Sequence, residues 1–254
     1  MNLKTKNKVS KFLLKFLLPV FLTVILFFSI PSVFAVSSEN KKDRESENIF
    51  ANDKIKIDFT DSDSTGTVKV NTVSKTDKRI KVTISKNEEN SATYTYDLKN
   101  DTTAEIYPLQ MGNGEYIVKV WLQVVESKYS LGLTGRYTVS LSDVHAPFLN
   151  PNQYVNYSED SKIAKKAAEL TKNCKTDLEK VEEIYKFVIA NLEYDTHKAN
   201  TVQSGYLPSV DAIVDLGKGI CFDYAAVFAA MLRSVNIPAK LVTGYVKPDD
   251  AYHA

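Results

Sequence analysis

The chemistry-bearing passage is Gly217-Lys218-Gly219-Ile220-Cys221-Phe222-Asp223-Tyr224-Ala225. Two glycines precede the cysteine, and an apolar stripe of Ala225, Ala226, Ala229 and Leu232 sets up a helical period that begins at it. Cys221 is therefore expected at a helix N-terminus, where unpaired amides and the positive end of the helix dipole stabilise a thiolate. The glycines are expected to permit unusual turn angles and a close approach of substrate backbone. Asn236-Ile237-Pro238-Ala239 ends the helix, Lys240 to Val246 reads as a strand, and His253 follows in a loop. A helix that carries a thiol and packs on a strand that delivers a histidine is one way to assemble a Cys–His nucleophile and base. The residues alone leave open a second reading, a buried structural cysteine on an amphipathic helix. Gly217-Lys218-Gly219 lacks the spacing of a phosphate-binding loop. Asp223 reads as a solvated first-turn acid favoured by the dipole. Cys174 reads as a small hydrophobe in a turn, His145 as a surface or hinge residue and His197 as structural.

The elements that must position this passage fall into two groups. From Ile55 to about Leu141 the apolar period is two: Ile55-Ile57-Phe59, Val68-Val70, Ile80-Val82-Ile84, Ala92-Tyr94-Tyr96-Leu98, Tyr116 to Val124, and Tyr137-Val139-Leu141. Short strands separated by Asp, Asn, Gly and Ser clusters predict an all-β sandwich over 55–145. After Ala146-Pro147 the period becomes helical. Ser158 is expected to cap a helix carrying Ile163, Ala164, Ala167, Ala168 and Leu170. Thr176-Asp177-Leu178-Glu179 is a capping box opening a second helix, with Leu178, Val181, Ile184, Tyr185, Val188, Ile189 and Leu192 at spacings of three and four.

Taken in order, Gly219-Ile220-Cys221, Leu232-Arg233, Asn236-Ile237-Pro238-Ala239, Val242-Thr243-Gly244-Tyr245 and His253-Ala254 resemble the core of the transglutaminase-like superfamily over roughly residues 160–254. Leu192-Glu193-Tyr194-Asp195 resembles the end of that family's preceding helix. The resemblance implies an α+β papain-like core (146–254) with a Cys-His-Asp triad, Cys221 as nucleophile and His253 as base. The expected chain is therefore multidomain, with that core following the β-sandwich read from the period of two. Two departures stand out. Asn236 replaces the family's usual Gly, which a left-handed helix end tolerates. The family's Trp, its triad Asp and its completing strands would follow Ala254, so the core is expected to be incomplete and the chain as written inactive. Asp249 and Asp250 are weak substitutes for the orienting carboxylate.

The chain has 254 residues, 44% hydrophobic and 25% charged, and a formal charge of +1. Lys4, Lys6, Lys8, Lys11 and Lys15 precede an apolar run from Phe16 to Ile30 and the Val33-Phe34-Ala35 tripeptide. That order predicts an export signal over 1–35, with an uncleaved membrane anchor as the alternative. The charge of +1 less those five lysines leaves −4, which gives no bulk attraction to nucleic acid. Residues 36–54 are polar and charged and are expected to form a linker. An exported cysteine pair could form a disulfide, but the differing contexts of Cys174 and Cys221 favour two free thiols. No His, Cys or Asp spacing suggests a metal, and no organic cofactor is implied. The expected product is a secreted or cell-surface cysteine acyltransferase or peptidase acting on protein or peptide, including wall-associated substrates. A non-catalytic binding module that retains the fold is the rival.

Overall fold

The computed structural model describes residues 44–248 and 251–254; the expected signal segment and Asp249-Asp250 lie outside them. Described residues begin with strands β1 (Arg44–Ser46), β2 (Ile49–Ala51) and β3 (Ile55–Asp58), a short helix α1 (Ser62–Thr65), then β4 (Thr67–Thr72), β5 (Ile80–Lys86), β6 (Tyr94–Leu98), β7 (Glu105–Pro108), β8 (Gly114–Val125) and β9 (Lys128–Val139). They form two antiparallel sheets, ordered β1-β2-β3-β4-β7 and β6-β5-β8-β9.

Alternation explains which face each strand buries. Ile80, Val82 and Ile84 of β5 and Tyr116, Val118 and Val120 of β8 are buried, and the residues between them are half-exposed. These side chains and Ile55, Ile57 and Phe59 of the other sheet belong to one apolar cluster. Each large side chain so buried contributes about 1.5–3 kcal/mol. Gly135 of β9 allows the sheets to close: a Cβ there would lie 3.1–3.2 Å from Phe59, Ile57 and Phe50. The expected linker over 36–54 is corrected from residue 44 onward. Phe50 is 2% exposed and pairs with Ile57, so a single aromatic anchors an otherwise polar stretch to the sheet.

The second half begins after a 3-10 turn at Ala146–Phe148 and contains α2 (Lys162–Thr171), α3 (Asp177–Asn191), β10 (Glu193–Tyr194), α4 (Thr196–Thr201), α5 (Val210–Leu216), β11 (Lys218–Gly219), α6 (Cys221–Ser234) and the hairpin β12 (Gly244–Val246) and β13 (Ala251–His253). Ile163 and Ala167 of α2, Ile184 and Val188 of α3 and Ala226, Ala230 and Met231 of α6 share a second apolar cluster. The capping box forms: Thr176 accepts from the Glu179 amide at 3.2 Å, and Glu179 accepts from the Thr176 amide at 3.3 Å. Ser158 does not cap α2. Ser161 occupies the cap position, and the Asp211 carboxylate from α5 accepts from the Lys162 and Ile163 amides, both at 3.0 Å.

Two further expectations change. The strand expected over 240–246 shrinks to Gly244–Val246, because its ladder partner spans only Ala251–His253; His253 is consequently on a strand opposite Gly244. On α3, Leu178, Tyr185 and Ile189 are exposed and only Ile184 and Val188 are buried, since the apolar set is wider than the face α2 and α6 cover. No described helix is long and apolar enough to cross a membrane.

Candidate active site

The approach to Cys221 is built from two glycines with separate duties. Gly217 ends α5 in the left-handed conformation (φ 69°), which reverses the chain into β11. β11 lies parallel to β10, with the Glu193 amide donating to Gly217 O and the Asp195 amide to Gly219 O, both at 2.9 Å. A Cβ on Gly219 would sit 2.6 Å from Cβ of Asp223. The close approach that Gly219 permits is thus that of Asp223, an intramolecular neighbour rather than a substrate.

Cys221 is the first residue of α6, capped by Ile220. Ile220 has no side-chain acceptor, so only half of a capping box forms: its amide donates to Asp223 Oδ2 at 2.9 Å. The expectation of a solvated Asp223 is corrected, because this carboxylate is fully buried. It accepts from Lys198 Nζ at 2.5 Å and from the Tyr206 hydroxyl at 2.6 Å. A buried carboxylate needs such donors, since an unpaired one carries a cost of several kcal/mol. Burial pulls the Lys198 ammonium down, but hydrogen bonds to Asp223 and Tyr206 outweigh it and raise its pKa above 10.5. Lys198 also lies 4.2 Å from the Tyr206 ring centroid. This network ties α4 and the 202–207 loop to the first turn of α6. Sequence reasoning missed it. The available signal was an acid at the third helical position behind a cap residue with no acceptor of its own.

The far end of α6 is fixed as firmly. Asn236 takes φ 62°, with Ile237 N donating to Leu232 O at 2.9 Å and Asn236 N to Arg233 O at 3.0 Å, a Schellman end with Asn in the glycine place. Arg233 is buried and donates through Nε and Nη2 to Ala239 O and through Nη1 to Asn150 O. Burial pulls its guanidinium down to about 10. Asn150 in turn donates to Thr65 O and Ala146 O, so the helix carrying Cys221 is linked to the β-rich half through one arginine.

Cys221 and His253 line one cleft of about 960 Å³. Cys221 is half-buried and His253 exposed; among the described residues no hydrogen bond joins the thiol to the imidazole. Cys174 and Cys221 are both free. His197 is exposed on α4, and Cys174 lies away from the cleft, lining a separate depression with Glu179 and Glu183. Tyr154, Phe222 and Tyr206 line the same cleft as Cys221 and form consecutive ring contacts at 5.7 and 6.4 Å. Among the described residues no group of three or more His, Cys, Asp or Glu side chains could hold a metal ion.

Residues 164–254 match the transglutaminase-like superfamily. The matched segment begins inside α2 and includes α3, α6 and the β12–β13 hairpin, hence both residues of the cleft singled out from sequence. No curated protein and no solved structure matches the chain. The transglutaminase-like segment combines helices with short strands, an α+β arrangement, and the β-rich half precedes the match.

Proposed function

We propose that the protein is an exported transglutaminase-like cysteine enzyme, with residues 44–145 as a β-sandwich and the remainder as its papain-like core. The Cys221 thiolate attacks a carboxamide or peptide carbonyl, the resulting tetrahedral oxyanion collapses, and a thioester forms as the amine departs. His253 gives that amine its proton, then takes one from the incoming amine or water that releases the acyl group. First-turn amides of α6, beginning with that of Cys221, have no intrahelical acceptor and suit the oxyanion. The observation that carries this reading is a cysteine at position one of a helix sharing a cleft with a histidine, inside the matched segment.

The test uses the protein extended past Ala254 to include the triad Asp that the resemblance implies, incubated with a glutamine peptide and a biotinylated primary amine. Intact-mass analysis should reveal an acyl adduct on Cys221 that is absent from Cys221→Ala, and either biotin transfer or peptide hydrolysis. No adduct on Cys221 under single-turnover conditions would remove the enzymatic reading. One observation favours the rival, a surface binding module without catalysis: the His253 side chain is exposed and its imidazole makes no hydrogen bond among the described residues. Export rests on the basic stretch, apolar run and Val33-Phe34-Ala35. Secreted material should begin at Val36, whereas membrane-bound material retaining Lys4 to Lys15 would indicate an anchor.

A further inference from the structure

Five consecutive residues, Thr93 to Asp97, line the cleft that holds Cys221. Successive side chains of a strand point to opposite faces, so a cleft touching all of them runs along the edge of β6 rather than over one face. Among the described residues β6 is an edge strand, bonded in its sheet only to β5. Its free side can be identified. Thr95 O accepts from the Tyr154 hydroxyl at 3.4 Å and Asp97 O from Gln153 Nε2 at 2.9 Å, both from outside the sheet. In an antiparallel pair a residue's N–H and C=O point to the same side, so the Thr95 amide also faces the cleft. Gln153 closes the edge at Asp97 with a 2.9 Å bond, whereas Thr93 and Thr95 are exposed. The Thr95 carbonyl holds only the long 3.4 Å contact from Tyr154, which an incoming amide can displace.

From this open edge to the thiol the cleft is lined by aromatic rings. Tyr96 and Tyr154 are 5.5 Å apart, Tyr154 and Phe222 5.7 Å, and Phe222 adjoins Cys221. Ring to ring, that path from Tyr96 to Phe222 is about three residues of extended chain at ~3.4 Å each. The loop 202–207 contributes six consecutive lining residues, and its Gly205 approaches Asp97 of β6.

We propose that the cleft receives an extended polypeptide segment that pairs, main chain to main chain, with the Thr95 edge of β6 and so brings a carbonyl to Cys221. The proposal rests on the reading of Cys221 as nucleophile for the last step only. An edge presents backbone donors and acceptors in a repeat that another strand satisfies, and pairing of this kind tolerates varied side chains. The β-rich half thereby acts as a substrate-docking wall and selects unfolded or loop segments over compact ones.

The test uses the full chain and a fluorescein-labelled hexapeptide of sequence VQTVQT, followed by anisotropy. Expected are saturable binding and slower iodoacetamide alkylation of Cys221 when peptide is bound. Methylation of alternate peptide amides should weaken binding about tenfold in one register and far less in the other. Thr95→Pro, which removes the cleft-facing N–H at an edge position that tolerates proline, should weaken binding by a similar factor with an unchanged circular dichroism spectrum. Equal effects of the two methylation registers, or no saturable binding, would overturn the proposal without requiring any variant to fold. Register-dependent binding together with alkylation of Cys221 no faster than that of Cys174 would retain the docking edge and refute the nucleophile.

Discussion

Removing the Asp223 carboxylate tests whether the first turn of α6 is held by the network beneath it. Asp223→Ala leaves Lys198 Nζ, the Tyr206 hydroxyl and the Ile220 amide without their shared acceptor. Breaking a buried pair by deleting one partner costs about 3–5 kcal/mol. Lys198 keeps a quarter of its side chain in water and can rehydrate, so the lower figure, about 3 kcal/mol, applies. For a chain of this size that lowers Tm by roughly 6–12 °C. Lys198→Met should also destabilise, by stranding a fully buried carboxylate. The double variant Asp223→Ala with Lys198→Met should recover about 1–3 kcal/mol relative to the sum of the singles, measured by urea denaturation. The pH dependence has a fixed sign. Because Lys198 titrates above 10.5 when folded, its contribution is complete below that unfolded value and is lost as pH rises through the folded one. The gap between wild type and Lys198→Met should therefore be constant near neutrality and close in strong alkali. Additive single costs below about 1 kcal/mol, or a gap that closes near pH 7, would refute the network.

Other changes probe the supports of the same helix. Gly219→Ala places a Cβ 2.6 Å from Asp223 Cβ and should cost about 1–3 kcal/mol by calorimetry, since both backbones are fixed. Arg233→Met abandons the carbonyls of Ala239 and Asn150 and should cost about 3 kcal/mol, with faster proteolysis at the junction after Ala146. Asn236→Gly should stabilise by about 0.5–1 kcal/mol and Asn236→Ala should destabilise by a similar amount, because only glycine takes φ 62° freely; a stabilising Asn236→Ala would contradict the Schellman geometry.

Strands with one buried face were legible because burial imprints a period of two: Ile80, Val82 and Ile84 announce β5 unaided. β7 was not, because Glu105-Ile106-Tyr107-Pro108 is too short to alternate and its buried residues, Tyr107 and Pro108, are adjacent rather than two apart. β1 and β2 were hidden by composition, since one phenylalanine outweighs its polar neighbours once a sheet edge is available. At the site the contrast is sharper. Helix start, cysteine position and the left-handed Asn236 follow from local rules, which a sequence states directly. The partners of Asp223 do not, because Lys198 and Tyr206 reach it from another helix and a loop. A carboxylate at the third helical position looks solvated from sequence, and only the Gly219 notch that admits it, read together with the lysine, reveals a buried charge. The glycines before Cys221 therefore have an explanation that requires no substrate: one reverses the chain, and the other makes room for the acid that holds the nucleophile's helix in place.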